Sequence, residues 1–441
     1  MIDSQDIAGA ALDRRGLLRL GGMAAAAAAL PTGFGSAWAM PARRPPTTAH
    51  LAAAVERWVG AGKFPGIVAS LGLPGREAEF VSRGTEGFTD ADPVTPDSLF
   101  RIYSMTKPIT GMAAMMLIAE GKLGLDQPLA EILPAFAHMQ VQVTPDGSIT
   151  DVRPARTAIT IRNLLTHTAG LGYATIQQGP LRQAMIEKGV VAGRISRIPV
   201  PGLERGTPAP SLAAFADRLA TLPLVYEPGT KWSYSLGLDL TGRVIEVVSG
   251  MPFDAFLQAR LFDPLGMAST FFQVPAREAH RLTTNHTVVK GLLVAIDRGD
   301  NSIYLDKPAY PFGGSGLVSS PRDYDRFLRM LAGFGRLGRT RLMNENAVRI
   351  GTSNLLPAGV DLTGMMGPKG GFGAGGRVGL GEDAGVYGWA GAAGTVASVD
   401  MRRGIRTQTY AQFMPPNALP VLTELQQALR ADIAALPSAK A

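Results

Sequence analysis

The apolar positions of this chain change period several times along its length, and the changes mark its elements. From His50 to Ala61 they recur at helical spacing, after which Gly66-Ile-Val-Ala-Ser-Leu-Gly-Leu73 runs without a charge, the pattern of a buried strand. Glu79-Phe-Val-Ser-Arg-Gly84 predicts a second strand, hairpin-like with the first. Pro108 to Gly121 is almost wholly apolar, which predicts a helix buried all round, with Pro108 tolerated in its first turn. Helical patterns and Pro/Gly turns dominate from Gly121 to about Asp300, with Leu212 to Leu222, Leu238 to Gly250 and Pro252 to Leu261 the clearest amphipathic helices. The last third returns to strand character at Gly313 to Ser320, Gly373 to Leu380, Ala392 to Asp400 and Thr407 to Met414, with helices over Pro321 to Phe334 and Leu419 to Leu436.

Strands at both ends with helices between predict an α/β (α+β) fold, in which one sheet built from both chain ends is interrupted by an all-helical lobe. The expected boundaries are a catalytic domain over 50–436, with the sheet part about 50–103 and 301–436 and the helical lobe about 104–300. A cleft between the two parts is where a ligand would sit. Ile176 to Pro210 and Leu355 to Gly371, both long and rich in Pro or Gly, read either as lids that shape its mouth or as disordered segments.

Composition narrows the partners. The 441 residues are 46% hydrophobic and 18% charged, ordinary globular material. The net charge of +7 comes from arginines spread along the chain without basic blocks interleaved with aromatics, so no nucleic-acid partner is expected. The absence of cysteine excludes disulfides, zinc-cysteine sites and thiol catalysis together. The five histidines lack His-Glu-x-x-His spacing and no calcium-loop pattern occurs, so no metal is expected. Residues 1–39 read as a twin-arginine-type leader: Arg14-Arg15 precede an alanine-rich run, and Ala37-Trp38-Ala39 offers small residues for cleavage. A linker over 40–49 follows, and no other run is long enough to span a bilayer. The expectation is a periplasmic or secreted protein without stable membrane insertion.

Ser104-Met-Thr-Lys107 is the single Ser-x-x-Lys of the chain. At the start of a helix the two side chains share a face, so an amine stands beside a hydroxyl that is a poor nucleophile until a neighbour takes its proton. No serine lies in Gly-x-Ser-x-Gly; Gly314-Ser315-Gly316 lacks the outer glycine.

Several segments, in order, resemble the serine β-lactamase-like hydrolases, which include class C β-lactamases, penicillin-binding carboxypeptidases and family VIII carboxylesterases. They are Phe100-Arg-Ile-Tyr-Ser-Met-Thr-Lys107, Leu164-Leu-Thr-His-Thr-Ala-Gly-Leu171, Glu227-Pro-Gly-Thr-Lys-Trp-Ser-Tyr-Ser-Leu236, Gly313-Gly-Ser-Gly-Leu-Val-Ser-Ser320 and Tyr387-Gly-Trp-Ala-Gly-Ala-Ala-Gly-Thr395. The resemblance implies an antiparallel sheet flanked by helices, no cofactor, Ser104 as acylated nucleophile, and Lys107 and Tyr234 as its proton partners, with the primary base left open. It implies the backbone N–H groups of Ser104 and of Ala392, on the strand after Gly391, as oxyanion donors. Tyr103, Ser235, Trp389 and Gly391 complete the implied substrate-binding set, and His167 is expected to pack beneath the cleft.

Two departures from the family's pattern bear on substrate. Trp389 stands where β-lactamases and penicillin-binding proteins carry lysine or histidine, and Ser235-Leu236 replace the x-Asn that would bind an amide. A tryptophan gives one N–H and apolar area, so an anionic acyl group loses a partner while a neutral ester does not. The resemblance therefore implies a serine carboxylesterase acting on a small-molecule ester. Its alternatives are β-lactamase or D-Ala-D-Ala carboxypeptidase activity, hydrolysis of small amides, and a catalytically silent penicillin-binding-like protein.

Overall fold

The computed structural model describes residues 47–193, 195–197, 200, 206–365 and 370–437. The leader expected over 1–39 and linker residues 40–46 lie outside the described residues, as do parts of both long loops.

Helix α1, Ala49–Val59, buries Leu51, Ala54, Val55 and Trp58, one stripe at i, i+3, i+4 and i+7. Strands β1 (Gly66–Gly72) and β2 (Glu79–Gly84) pair antiparallel. Every residue of β1 is buried, as its uncharged and mostly apolar run requires of a strand covered on both faces. Helix α2, Thr106–Ala119, buries twelve of its fourteen residues, so its all-round apolarity is matched by an interior position. Helix α3, Gly237–Ser249, stops at Gly250, whose φ of +69° is free of strain only in glycine. The remaining strands of the main sheet are β3 (Gly371–Phe372), β4 (Arg377–Val378), β5 (Val386–Gly391), β6 (Thr395–Asp400) and β7 (Ile405–Tyr410), and helix α4 is Val421–Ala434.

The sheet order is β3-β4-β5-β6-β7-β1-β2, with every neighbouring pair antiparallel. The two chain ends meet at β1 and β7, where Val68 faces Tyr410. One face is covered by α1 and α4 through Leu51, Trp58, Ile67, Val421 and Leu425. On the other, Tyr387, Val399 and Tyr410 share the main core with Ile109 and Met112 of α2 and with Tyr324 of the helix Pro321–Ala332.

The interval expected to be all-helical also holds strands. Gln140–Gln142 pairs with Val152–Pro154, Thr270–Phe271 joins a small sheet, and Asn285–Val289 forms a hairpin with Leu292–Asp297. The last turns through Lys290 and Gly291, both at positive φ (50° and 80°), the geometry of a primed two-residue turn, but without the Asn-Gly or Asp-Gly that would announce it. The expected strand over Ala392 to Asp400 begins only at Thr395, and Val386–Gly391 is a strand of its own. Ala392, Ala393 and Gly394 make the three-residue turn between them, closed by Gly394 at φ +68°. Among the described residues no helix is long and apolar enough to cross a membrane.

Candidate active site

Ser104 does not cap a helix. It lies in a single 3-10 turn, Tyr103–Met105, that leads directly into α2. Tyr103, just before it, is held at φ +40°, a conformation that costs a non-glycine residue about 1–3 kcal/mol and persists only where the surroundings impose it. Lys107, the second residue of α2, is 1% exposed, and its Nζ donates to Ser104 Oγ at 3.2 Å and to the Gly314 carbonyl at 2.6 Å. Tyr234, from the segment before α3, donates its hydroxyl to Ser104 Oγ at 2.7 Å, and its ring centre lies 4.5 Å from Lys107 Nζ. An amine and a phenol distant in sequence thus converge on one hydroxyl.

The Gly313 to Leu317 loop is clamped to this group at several points. Thr110 Oγ1 donates to the Gly313 carbonyl at 2.7 Å, the Leu317 N–H donates to Thr106 Oγ1 at 3.1 Å, and the Gly314 N–H donates to Asp239 Oδ1 of α3 at 2.9 Å. These bonds aim the Gly314 carbonyl at Lys107. A Cβ at Gly314 would collide with the Asp239 carboxylate, which makes glycine the residue this approach requires.

Trp389 on β5 stacks on Tyr234, ring centres 5.9 Å apart, and its Nε1–H donates to the Tyr234 hydroxyl at 3.3 Å. β4 pairs with β5 only at Tyr387 and Gly388, so the strand edge from Trp389 to Gly391 runs unpaired by β4 along the cleft. Gly391 and Ala392 also line it; Ala392 is the first residue of the turn after β5 rather than part of the following strand, a correction to the sequence reading. A second correction concerns Ser235. It is 2% exposed and turned away from the cleft, its Oγ 3.0 Å from His167 Nδ1, because successive side chains of an extended segment point to opposite sides and Tyr234 takes the cleft side. His167, at φ +57°, is wholly buried 4.6 Å from the Tyr234 ring, and its Nδ1 accepts from the Ser235 N–H at 3.2 Å. Burial, with the Lys107 charge as a lesser cause, holds its pKa well below the usual imidazole range, so the ring stands neutral beneath Tyr234.

The cavity that opens at Ser104 measures about 670 Å³ and extends to Gln426, Leu429 and Arg430 of α4; its Ser104 end includes Tyr103, Tyr173, Ile176, Tyr234 and Trp389. Tyr173 and the Gly314 carbonyl went unmarked in the sequence: the first lies outside every motif, and the second is main chain. Ile176 begins one of the two loops expected at the mouth. Among the described residues no three His, Asp or Glu side chains converge as a metal ligand set. The arrangement can take a proton from Ser104 as its oxygen bonds to an electrophilic carbon and deliver that proton to a leaving group across the same cleft.

A family model described as Beta-lactamase matches residues 51–431. The chain is 35% identical over 271 residues to protein Rv1367c of Mycobacterium tuberculosis, covering 60% of this chain and 62% of that one. It is 31% identical over 284 residues to esterase EstB of Burkholderia gladioli, covering 60% and 66%. The match therefore spans just under two thirds of these relatives' own lengths. Among solved structures, EstCE1, described as a hydrolase with promiscuous acyltransferase activity, superposes with a TM-score of 0.71 at 24% identity, over 87% of this chain and 98% of that one.

Proposed function

Because the chain belongs to the β-lactamase family, we propose that it is a serine hydrolase that cleaves carboxylic esters through an acyl-enzyme on Ser104. The observation that carries this reading is the convergence of Lys107 Nζ, at 3.2 Å, and the Tyr234 hydroxyl, at 2.7 Å, on one oxygen. In the proposed sequence Ser104 Oγ bonds to the ester carbon as its proton passes to the Lys107–Tyr234 pair. The tetrahedral oxyanion is held by the N–H groups of Ser104 and Ala392. Collapse breaks the bond to the alcohol oxygen, which leaves with the proton held by the pair. Water then adds to the acyl carbon, gives its proton to the same pair, and returns Ser104 as the carboxylic acid departs.

Negative charge on the Tyr234 oxygen during proton transfer is stabilised by the buried Lys107 amine over its ring and by the Trp389 N–H. The choice of esters over β-lactams rests on Trp389: beside Tyr234 this position supplies aromatic surface and one N–H already directed at the phenol rather than a cation, the arginines that line the cavity being Arg377, Arg403 and Arg430. Similarity to an esterase, EstB, supports the same choice. The twin-arginine-type leader supports an exported enzyme, a proposal tested by fractionating cells that express the chain with Arg14 and Arg15 intact or replaced by lysine.

The decisive experiment is a panel of p-nitrophenyl esters of rising acyl length set against a chromogenic cephalosporin, on wild type and Ser104→Ala, with fluorophosphonate labelling alongside. The expected result is ester turnover and labelling that both vanish in Ser104→Ala. Undiminished turnover in that variant would remove the nucleophile, faster cephalosporin turnover would favour a β-lactamase, and an unlabelled wild type would favour a silent binding protein.

A further inference from the structure

The segments that carry the two oxyanion donors reach the cleft from opposite ends of the sequence, and one buried side chain ties them together. Gln412 is 3% exposed. Its Oε1 accepts from the Arg101 N–H at 3.1 Å, while its Nε2 donates to the Arg101 carbonyl at 3.1 Å and to the Ala393 carbonyl at 3.4 Å. The amide orientation is dictated by these partners, since an N–H needs the oxygen and two carbonyls need the nitrogen. Arg101 lies three residues before Ser104, and Ala393 is the residue after Ala392.

Three further features concentrate on the same junction. Gln412 is held at φ +46° and Tyr103 at φ +40°, two left-handed non-glycine residues flanking the donors, a kind of strain that collects at functional sites. The neighbouring N–H groups of Ala411 and Phe413 donate to the Gly394 and Ala393 carbonyls at 3.1 Å each, so the whole Ala392 to Gly394 turn is gripped from this side. Gly391 closes the gap, because a Cβ there would collide with the Ile102 carbonyl. The Arg101 side chain anchors the arrangement: it is wholly buried, ion-paired with Asp297 at 2.6 Å, and donates to Ser302 Oγ at 3.0 Å.

We infer that Gln412 is a positioning residue of the oxyanion site, fixing the Ala392 turn against the Ser104 turn so that both N–H groups meet the same developing charge. This rests on the proposed acyl-enzyme reading and adds to it a residue that touches neither the substrate nor the proton-transfer pair. A preorganised donor displaced by a fraction of an ångström loses much of its effect, and loss of a whole donor costs roughly 100- to 1,000-fold in kcat.

The test compares an oxoester with the matching thionoester, whose sulfur an oxyanion site accommodates poorly, in wild type, Gln412→Glu and Gln412→Asn. The first variant keeps the acceptor and loses the donor; the second keeps the chemistry and withdraws it by one methylene. In both we expect oxoester kcat to fall roughly 10- to 100-fold with KM within about twofold, and the oxo-to-thiono ratio of kcat to fall with it, while the pH profile set by Lys107 and Tyr234 stays unchanged. The ratio is independent of how much enzyme is folded, so a loss of stability cannot imitate the result. A ratio that remains at the wild-type value in both variants, whatever their melting temperatures, would overturn the inference. A wild type without oxoester preference, or a Ser104→Ala enzyme with full turnover, would instead overturn the underlying reading.

Discussion

Trp389 carries the proposed choice of substrate, and it does so through its position as much as its chemistry. Its ring stacks on Tyr234 and its N–H reaches the phenol oxygen, so the residue that stands at the family's cation position also touches the proposed proton-transfer pair. Trp389→Lys is expected to raise cephalosporin kcat/KM relative to that for a neutral short-chain ester by roughly tenfold or more, since a charge-assisted partner for an anionic group is worth about 1.5–3 kcal/mol. Paired steady-state assays on both substrates measure that ratio, and an unchanged value would reduce Trp389 to packing. Ser104 and Lys107 were legible in the sequence because three-residue spacing at a helix start fixes them on one face. Tyr234 could be read only through its motif, as nothing local to it points to a partner 130 residues away. Ser235 was misread because the motif names adjacent residues while the backbone sends their side chains to opposite sides.

The long helix α2 and the strand β1 were legible for the reason that both are long and interior: α2 buries nearly every side and β1 both faces, and their compositions say so. The hairpin of Asn285–Val289 with Leu292–Asp297 was not, since Lys290-Gly291 takes a turn usually marked by Asn or Asp. That hairpin has a consequence for acid stability. His286 is 1% exposed; its N–H donates to the Gln412 carbonyl at 3.1 Å, its ring meets Phe88 edge-on, and the charged group acting on it is Arg101. Burial first, and Arg101 to a smaller degree, push its pKa down to about 4. The folded protein therefore holds a neutral ring where the unfolded chain protonates near the ordinary value of about 6.5, so the unfolded state binds more protons between these values. Stability is full above about pH 6.5 and is lost as pH falls toward 4, by about 2 kcal/mol at pH 5 from this group alone. Denaturant titrations at pH 7.5 and pH 5 should give a smaller difference for His286→Gln than for wild type. An equal difference would mean that the ring is already protonated in the folded hairpin.

The sheet closes only when β1 pairs with β7, and one carboxylate fastens the two chain ends together beside that seam. Asp432, on α4 and 3% exposed, accepts from the backbone N–H groups of His50 and Leu51 at 2.9 Å each and lies 2.8 Å from His50 Nδ1. α1 has no capping bond from its own Thr48, so a residue about 380 positions away supplies the acceptor that the first turn lacks. This was invisible in the sequence, where nothing pairs Asp432 with His50. Removing a cap costs about 0.5–2 kcal/mol, and a buried carboxylate that serves two donors belongs at the upper end of that range. Asp432→Ala should therefore lower the denaturant midpoint by an amount corresponding to about 1–2 kcal/mol at constant m-value, while ester kcat per folded molecule stays within about twofold of wild type, because α2 and the Gly313 to Leu317 loop that hold Ser104 and Lys107 lie on the opposite face of the sheet, and Asp432, unlike Leu429, Arg430 and Ile433 of the same helix, does not line the cavity. A fall in kcat without a fall in the midpoint would mean that the joined chain ends govern the cleft directly rather than through the stability of the sheet that frames it.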